Sequence, residues 1–380
     1  MAIEAILNYA IDKGGSDIHL TVGRPRTVRI HGSLVSMDDQ VLTPEDTEKL
    51  AREISSEEQR KKVEEVGGID FGFGYGDRGR FRVSLFKQKG TYAMVLRLLP
   101  NKFFTFDELS LPKQLIELLG RPRGLILVTG PTGSGKTTSL ATMLNYINEN
   151  FSRHIITVED PIEFLHPHKK GVVTQREVGA DVPSFSEAVV KALRQDPDVI
   201  LIGEMRDIAT MESAIRAAET GHLVFGTLHT TGAARTVDRI IDVFPPNQQA
   251  QIRVQLASTI VAVVSQALIP RIDGKGRVGA FEIMIATPAI RNLIREGKTY
   301  QVISEIQTGH RHGMKALDDH LKELFQGGII SYDDMIEFAQ DPKELAERAL
   351  KGGPAKPPQP PAGGESDGHK GGASSFFGKK

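Results

Sequence analysis

A glycine-rich segment near the middle of the chain has the composition and spacing of a phosphate-binding loop. Gly130-Pro-Thr-Gly-Ser-Gly135-Lys136-Thr137 fits the pattern G-x-x-x-x-G-K-[ST], between an apolar run at 125–129 and a helical pattern that begins near Lys136. In such loops the backbone N–H groups point at the β- and γ-phosphates, and the helix N-terminus favours the anion. Lys136 would neutralise phosphate charge, and Thr137 would hold Mg²⁺ through its hydroxyl. The predicted nucleotide-binding residues are Gly130, Pro131, Thr132, Gly133, Ser134, Gly135, Lys136, Thr137 and Thr138.

Two acidic segments supply candidate groups for the metal ion and for the attacking water. Residues 198–204 form an apolar run that ends in Glu204, which is the Walker B layout. Because functional groups of open α/β sheets gather at the carboxyl ends of the strands, Glu204 is expected beside the loop. A second run ends in three acids, Glu159, Asp160 and Glu163. One of them could position or deprotonate water, although such a cluster alone also fits a solvated strand end.

Histidines bracket another apolar run, 223–228. His222 and His229 are seven residues apart, which places them on opposite faces of a regular strand and disfavours a shared metal ion. Taken alone, each fits a hydrogen-bonded histidine at a strand end. His310 and His312 lie between glycines and are interpreted as loop residues rather than metal ligands.

Composition excludes several classes of site. The 380 residues include 47 Lys+Arg, 48 Asp+Glu, no cysteine and no tryptophan. Without cysteine there can be no disulfide, thiolate zinc site, iron–sulfur cluster or cysteine nucleophile. The most apolar stretch, 252–269, contains Arg253, Gln255 and Gln266 and falls short of the roughly 20 apolar residues of a membrane span. No transmembrane segment and no secretory signal are expected, so a cytoplasmic protein is predicted.

The elements that must position these residues divide the chain into four regions. Residues 1–100 combine a short helix, a charged helical stretch at 44–66 and alternating strand patterns, which predicts a small α+β domain. Residues 101–115 are expected to be an interdomain linker. From 116 to 350, apolar runs alternate with helical patterns, which predicts an α/β core with a parallel sheet, followed from about 247 by a mostly helical part. Residues 351–380, with five prolines and eight glycines, predict a disordered tail.

The motifs, in their order along the chain, resemble those of the secretion ATPases, the hexameric motors of type II secretion and type IV pili. Within that family the pilus retraction ATPases are most similar. Residues 15–20 and 80–86 resemble the family's PAS-like N-terminal domain, and Ala289-Ile-Arg-Asn-Leu-Ile-Arg-Glu296 is similar to a signature stretch of retraction ATPases. Extension and secretion relatives usually carry a tetracysteine zinc module and a longer N-terminal region, and this sequence shows neither. The resemblance covers about residues 1–345 and implies a RecA-like P-loop core with a smaller PAS-like domain.

The resemblance also implies roles for individual residues. Glu163 corresponds to the water-activating carboxylate and Glu204 to the Walker B acid that helps hold the metal. His222 and His229 fall on the family's histidine box. Arginines of the N-terminal strands reach the nucleotide in this family, and among Arg80, Arg82 and Arg97 the last two are favoured. The alternative is that these are ordinary arginines of a sheet surface.

For the whole protein the resemblance implies a homohexameric motor that uses ATP and Mg²⁺ to drive pilus retraction. An inner-membrane platform protein is its expected partner, at the inner face of the cytoplasmic membrane. Three alternatives stay open: a related secretion or pilus-assembly ATPase, a RecA-like DNA translocase, and a nucleotide-binding scaffold without turnover. The net charge of −1 and the absence of tryptophan disfavour a nucleic-acid track. The stretch 289–296 alone predicts an amphipathic helix, and the resemblance suggests that its polar side, with Arg291 and Arg295, contacts a partner.

Overall fold

The computed structural model describes residues 2–76, 78–99 and 102–350. The tail predicted at 351–380 and the first linker residue, Asn101, lie outside the described residues. Among the helices that are described, none is long and apolar enough to cross a membrane.

The N-terminal region is a six-stranded antiparallel sheet covered on one face by three helices. The sheet order is β3-β2-β1-β6-β5-β4. Thr43 and Ser56 form capping boxes at the starts of the second and third helices, which satisfy the first free amides of each. The elements are α1 (Ile3–Asp12), β1 (Gly15–Leu20), β2 (Pro25–Ile30), β3 (Ser33–Val41), α2 (Pro44–Ile54), α3 (Glu57–Val66), β4 (Gly68–Tyr75), β5 (Gly79–Gln88) and β6 (Thr91–Leu99).

Successive side chains of β5 point to opposite faces of this sheet. Phe81, Val83 and Leu85 are fully buried in one core with α1, α2 and α3. Arg80 and Arg82 alternate with them and therefore point away from the helices, toward the second sheet. The uncovered face of the N-terminal sheet thus carries the arginines that the sequence singles out.

The second sheet has seven strands in the order β13-β12-β7-β11-β10-β8-β9 and is parallel except for its edge strand β13. Its strands are β7 (Gly124–Thr129), β8 (His154–Glu159), β9 (Val172–Glu177), β10 (Val199–Ile202), β11 (Leu223–Leu228), β12 (Ile260–Pro270) and β13 (Arg277–Ile285). The helices of this region are α4 (Gln114–Leu119), α5 (Lys136–Asn150), α6 (Phe185–Ala192), α7 (Ile208–Glu219), α8 (Ala233–Asp242), α9 (Pro246–Thr259), α10 (Pro288–Glu296), α11 (Val302–Thr308), α12 (Leu317–Gln326), α13 (Tyr332–Glu337) and α14 (Pro342–Leu350).

Helices cover both faces of this sheet, as expected for a parallel sheet. Leu125 and Leu127 of β7 pack on one side with α6 to α10, whereas Ile126 and Val128 pack on the other with α4 and α5. The helices α12 to α14 form a separate core with Ile269 and Val278. Sequence patterns overlooked β12 and β13, because a strand buried on both faces shows a continuous apolar run that periodicity cannot distinguish from a buried helix.

The polar side of α10 is only partly free. Arg291 donates hydrogen bonds to the carbonyl oxygens of Ala257 (2.6 Å) and Ser258 (2.8 Å), which belong to the last turn of α9. It therefore satisfies carbonyls that a helix C-terminus leaves without partners. The expectation that Arg291 is available to a partner needs correction, whereas Arg295 is exposed.

Candidate nucleotide site

The predicted phosphate-binding loop joins the carboxyl end of β7 to the N-terminus of α5. Gly130 has a φ of 143°, and a Cβ there would lie 2.2 Å from the carbonyl oxygen of Gln266. Gly135, the residue before α5, has a φ of 87°. Only glycine accepts this conformation together with the close approach at Gly130. The glycines of the motif are thus required by the backbone path that opens the helix N-terminus.

The polar groups of the loop fit the phosphates of a nucleotide. Lys136 Nζ donates to the carbonyl oxygens of Gly130 (2.8 Å) and Pro131 (3.0 Å) and so lies within the loop. Among the described residues, the buried hydroxyl of Ser134 has no hydrogen-bond partner. Burial lowers the pKa of Lys136, and the nearby Glu204 carboxylate acts in the opposite direction. A cation, an unpaired buried donor and a helix N-terminus together form an anion site.

Glu204 and His229 lie beside the loop because β10 and β11 end at the same edge of the sheet as β7. His229 Nε2 is 2.9 Å from Glu204 Oε1, and His229 Nδ1 is 3.4 Å from the hydroxyl oxygen of Thr132. A carboxylate can only accept, so Nε2 carries the proton, and in the neutral ring Nδ1 accepts from Thr132. His229 thereby connects the predicted phosphate loop to the Glu204 carboxylate.

Arg206 completes this cluster, and sequence reasoning missed it. Its Nε is 2.5 Å from Glu204 Oε1. Burial favours the neutral form of Glu204, but Arg206 and His229 outweigh burial and hold the pKa of Glu204 below its usual value. The carboxyl group is therefore ionised at neutral pH. The sequence signal that could have identified Arg206 is its position, two residues after the strand-end carboxylate of Glu204.

The described residues contain no group of three or more His, Cys, Asp or Glu side chains arranged to hold a metal ion. In the usual Mg²⁺ site of nucleotide enzymes, one or two protein ligands, phosphate oxygens and waters surround the ion. Thr137, in the first turn of α5, and Glu204 are the residues of this edge that fit such a set.

His222 lies at the other edge of the sheet. It precedes β11, its carbonyl accepts from Gly124 at the start of β7, and its Nδ1 is 3.0 Å from the carbonyl oxygen of Ala217. The six residues of β11 separate it from the phosphate loop of its own chain by about 20 Å. The two predicted histidines therefore do not meet, and only His229 belongs to the site within one chain.

The three acids that follow β8 have different environments. Glu159 is buried and accepts from the hydroxyl of Thr157 (2.6 Å) and from Gln175 Nε2 (3.1 Å), and burial raises its pKa. Asp160 is exposed. Glu163 is half-buried, and its Oε1 is 4.0 Å from Arg82 of the N-terminal sheet. Of the three, Glu163 is the carboxylate that faces a cation from the other sheet.

The N-terminal arginines occupy one face of their sheet. Strand register aligns Arg29, Asp17, Arg97, Arg82 and Gly72 as neighbours across five strands. The side chain of Arg97 is 66% exposed and donates to Asp17 (2.8 Å), whereas that of Arg82 is 40% exposed. Arg80 instead pairs with Glu177 of β9 (2.7 Å) and is mostly buried. Arg82 and Arg97 are thus the accessible members of the predicted set.

A glycine loop between a parallel strand and a helix, with a carboxylate and a histidine at neighbouring strand ends, defines a P-loop ATPase. The chain belongs to the family described as Type II/IV secretion system protein, which matches residues 1–336. The resemblance to secretion ATPases and the expected α/β fold are confirmed.

Several relatives match most of the chain. It is 48% identical over 345 residues to "Type IV pilus retractation ATPase PilT" of Pseudomonas aeruginosa, covering 91% of this chain and 100% of that protein. It is 45% identical to "Twitching motility protein" of Neisseria gonorrhoeae, covering 84% of this chain and 85% of that protein. A crystal structure of the pilus retraction motor PilT with bound ADP matches with a TM-score of 0.86 at 51% identity, covering 91% of this chain and 99% of that one.

The Glu204 cluster gives a test of its electrostatics. Arg206→Ala removes the first of the groups that lower the pKa of Glu204, so that pKa should rise. Glu204 must be ionised to help hold a metal ion, and the acidic limb of the ATPase pH profile should therefore move toward neutral pH. Steady-state ATPase rates across pH measure this, with Arg216→Ala, an exposed arginine of α7, as the control. An acidic limb that stays in place in Arg206→Ala would contradict the assignment.

Proposed function

We propose that this chain is a homohexameric, Mg²⁺-dependent ATPase that powers retraction of type IV pili. The observation that carries the proposal is a complete P-loop site within a chain that matches pilus retraction motors over 91% of its length. The ADP bound to the similar retraction motor supports an adenine nucleotide as the ligand of this chain. In this role, energy from ATP drives motion between the domains, and the motion disassembles the pilus.

Lys136 and the loop amides bind the phosphates, and Lys136 neutralises part of their charge. Mg²⁺, when bound through Thr137 and Glu204, supplies further charge neutralisation at the phosphates. Thr132 lies at the mouth of the loop, where its hydroxyl meets His229. Of the two histidines, His229 is therefore the one proposed to contact the nucleotide. Through its hydrogen bonds to Thr132 and Glu204, a change in the loop can alter the position of Glu204.

Glu163 is the proposed water-activating group. A general base must be free to accept a proton within the site. Glu159 is already engaged by Thr157 and Gln175, and Asp160 is exposed to solvent. Within the described part of the chain, the Glu163 carboxylate accepts no hydrogen bond, and Arg82 lies 4.0 Å from it. The environment thus favours Glu163, as the family resemblance implies.

The proposed domains are an N-terminal PAS-like domain at 1–100, a linker at 101–115 and a RecA-like core at 116–350. Arg82 faces Glu163 of its own chain, and Arg97 is exposed on the same sheet face. An arginine presented on a separate domain can stabilise charge on a transferring phosphoryl group when that domain closes. We assign Arg82 and Arg97 to this role. The Arg97 side chain pairs with Asp17 but is exposed, so it is accessible to a neighbouring subunit of the hexamer.

The proposed partner is an inner-membrane platform protein, and the proposed location is the cytoplasmic face of that membrane. Arg295 on α10 is the exposed cation of the stretch similar to the retraction signature. It is therefore favoured over Arg291, which is engaged by α9, as the residue that contacts this partner.

The site residues predict distinct kinetic defects. Glu163→Gln should keep ATP affinity but lower kcat by about 100-fold or more, because a general base is lost while the phosphate contacts remain. Lys136→Ala should weaken ATP binding itself. Equilibrium nucleotide binding and steady-state ATPase assays separate the two, with Glu212→Gln, an exposed glutamate of α7, as control. Wild-type turnover in Glu163→Gln would remove it as the water-activating residue.

Deletion of the gene tests the cellular role. Loss of a retraction motor should leave cells with abundant surface pili that do not twitch, because assembly continues without disassembly. Pilus counts by electron microscopy and twitching on agar measure this, and complementation with Glu212→Gln should restore twitching. Cells without pili would indicate an assembly ATPase instead, and normally piliated, motile cells would contradict a role as the main motor.

A further inference from the structure

Glu177, the last residue of β9, is a carboxylate on which the two sheets converge. Its side chain is 8% exposed. Oε1 accepts from the backbone N–H of Gly72 on β4 (3.1 Å), and Oε2 accepts from Arg80 Nη2 on β5 (2.7 Å). Oε2 also accepts from the backbone N–H of Ile162 (3.1 Å). Both oxygens are therefore engaged, one by the N-terminal sheet alone and the other by the N-terminal sheet and the loop after β8.

Arg80 and Glu177 together hold both backbone groups of Ile162. Arg80 Nε donates to the Ile162 carbonyl oxygen (3.1 Å), while Glu177 accepts from the Ile162 N–H. The Ile162 side chain is buried, so packing holds the side chain while hydrogen bonds hold both backbone groups. The next residue in the chain is Glu163. The backbone next to Glu163, the proposed water-activating carboxylate, is thus held by hydrogen bonds to an ion pair that joins the two sheets.

The remainder of this loop is held by β9 and by the linker. Gln175 Nε2 donates to the carbonyl of Phe164 (2.8 Å), and the N–H of His166 donates to Gln175 Oε1 (2.7 Å). The ring of Phe103 lies 4.7 Å from that of His166, whose pKa burial and Lys169 lower to about 4. His166 is therefore neutral at physiological pH and packs as an apolar ring. At Ile162, in contrast, the loop is held by groups from both sheets.

The geometry of the pair explains a glycine of β4. A Cβ on Gly72 would lie 2.2 Å from Arg80 Nη2 and 2.8 Å from Glu177 Oε2. The φ of Gly72 is not positive, so its strand backbone accepts alanine and only the lack of space forbids it. Gly74, two residues along the same strand, has nothing within 4 Å of a Cβ position. Gly72 is thus required by the pair, whereas Gly74 of the same strand is not.

We propose that Glu177 and Arg80 are positioning residues for ATP hydrolysis, which fix Ile162 and thereby the place of Glu163 only while the two sheets are in contact. The inference rests on the proposed role of Glu163. A buried ion pair adds little net stability because desolvation offsets its attraction, so its value here is specific placement. When the domains move apart, Ile162 loses Arg80 directly, and Glu177, left without its partners Arg80 and Gly72, no longer fixes the loop that aims Glu163. Domain motion and hydrolysis are coupled in this way.

Gly72→Ala tests the proposal without removing a charge. The new methyl group should displace Arg80 from Glu177 and lower kcat by about 10- to 100-fold, as small misplacements of catalytic groups do. ATP affinity should stay within about twofold of wild type, because the phosphate loop is untouched. Gly74→Ala, the matched control on the same strand, should retain wild-type kcat. ATPase kinetics and nucleotide binding are measured on the full chain, with thermal melting and size-exclusion chromatography to verify folding and assembly.

A double mutant separates positioning from a general structural effect. If Gly72→Ala acts through Glu163, it should add no further loss of kcat in the Glu163→Gln background. Additive losses would overturn the inference, as would wild-type kcat in a folded Gly72→Ala protein while Glu163→Gln is inactive. If Glu163→Gln itself turns over normally, the proposed role of Glu163 fails first, and the inference fails with it.

Glu177→Gln provides a second variant should Gly72→Ala assemble poorly. An amide offers one acceptor oxygen in place of two, so it cannot serve Gly72 on one side and both Arg80 and Ile162 on the other. The same loss of kcat with ATP affinity retained is expected. Equal losses of kcat and ATP affinity would indicate a merely structural residue and contradict the proposal.

Discussion

A single buried carboxylate connects the two halves of this protein at the point where they must cooperate. Glu177 ends the edge strand of the ATPase sheet and accepts hydrogen bonds from Gly72, Arg80 and Ile162. Because desolvating a charge is costly unless it is fully paired, this arrangement requires that the N-terminal sheet, the loop after β8, and β9 are together. With Arg80 and Glu177 in the proposed positioning role, the alignment of Glu163 depends on the contact between the two sheets rather than on the ATPase sheet alone.

The remaining chemistry is built on the edge of the parallel sheet. The carboxyl ends of β7, β10 and β11 bring the phosphate loop, Glu204 and His229 together, and hydrogen bonds through His229 connect loop and carboxylate. The rigid part of the site thus lies on strands that are buried on both faces. The adjustable part, with Arg82 and Glu163, lies where the two sheets meet. This division suits a motor, whose nucleotide must bind tightly while hydrolysis waits for a domain movement.

Much of this organisation is predictable from the sequence, for physical reasons. The loop at 130–137 can be predicted because its backbone path requires glycine at defined positions. The parallel sheet can be predicted because its short apolar runs alternate with helices. The sequence also allows His229 to be placed in the site, because His229 follows β11 whereas His222 precedes it. Glu177 was not, because it belongs to no motif and its partners Gly72, Arg80 and Ile162 are 105, 97 and 15 residues away. Contacts of that range leave no local pattern, and the buried strands β12 and β13 resemble helices for a related reason.

Hydrogen exchange at two backbone amides tests the central claim most directly. The N–H groups of Gly72 and Ile162 both donate to Glu177, although Gly72 lies on the N-terminal sheet and Ile162 in the loop after β8. In the full chain, Glu177→Gln should accelerate deuterium uptake in the segments 68–75 and 160–166 together, while β7 and β11 exchange as in wild type. Uptake at 160–166 that stays at the wild-type level while 68–75 is released would show that the loop carrying Glu163 is held independently of the contact between the sheets, and would contradict the account.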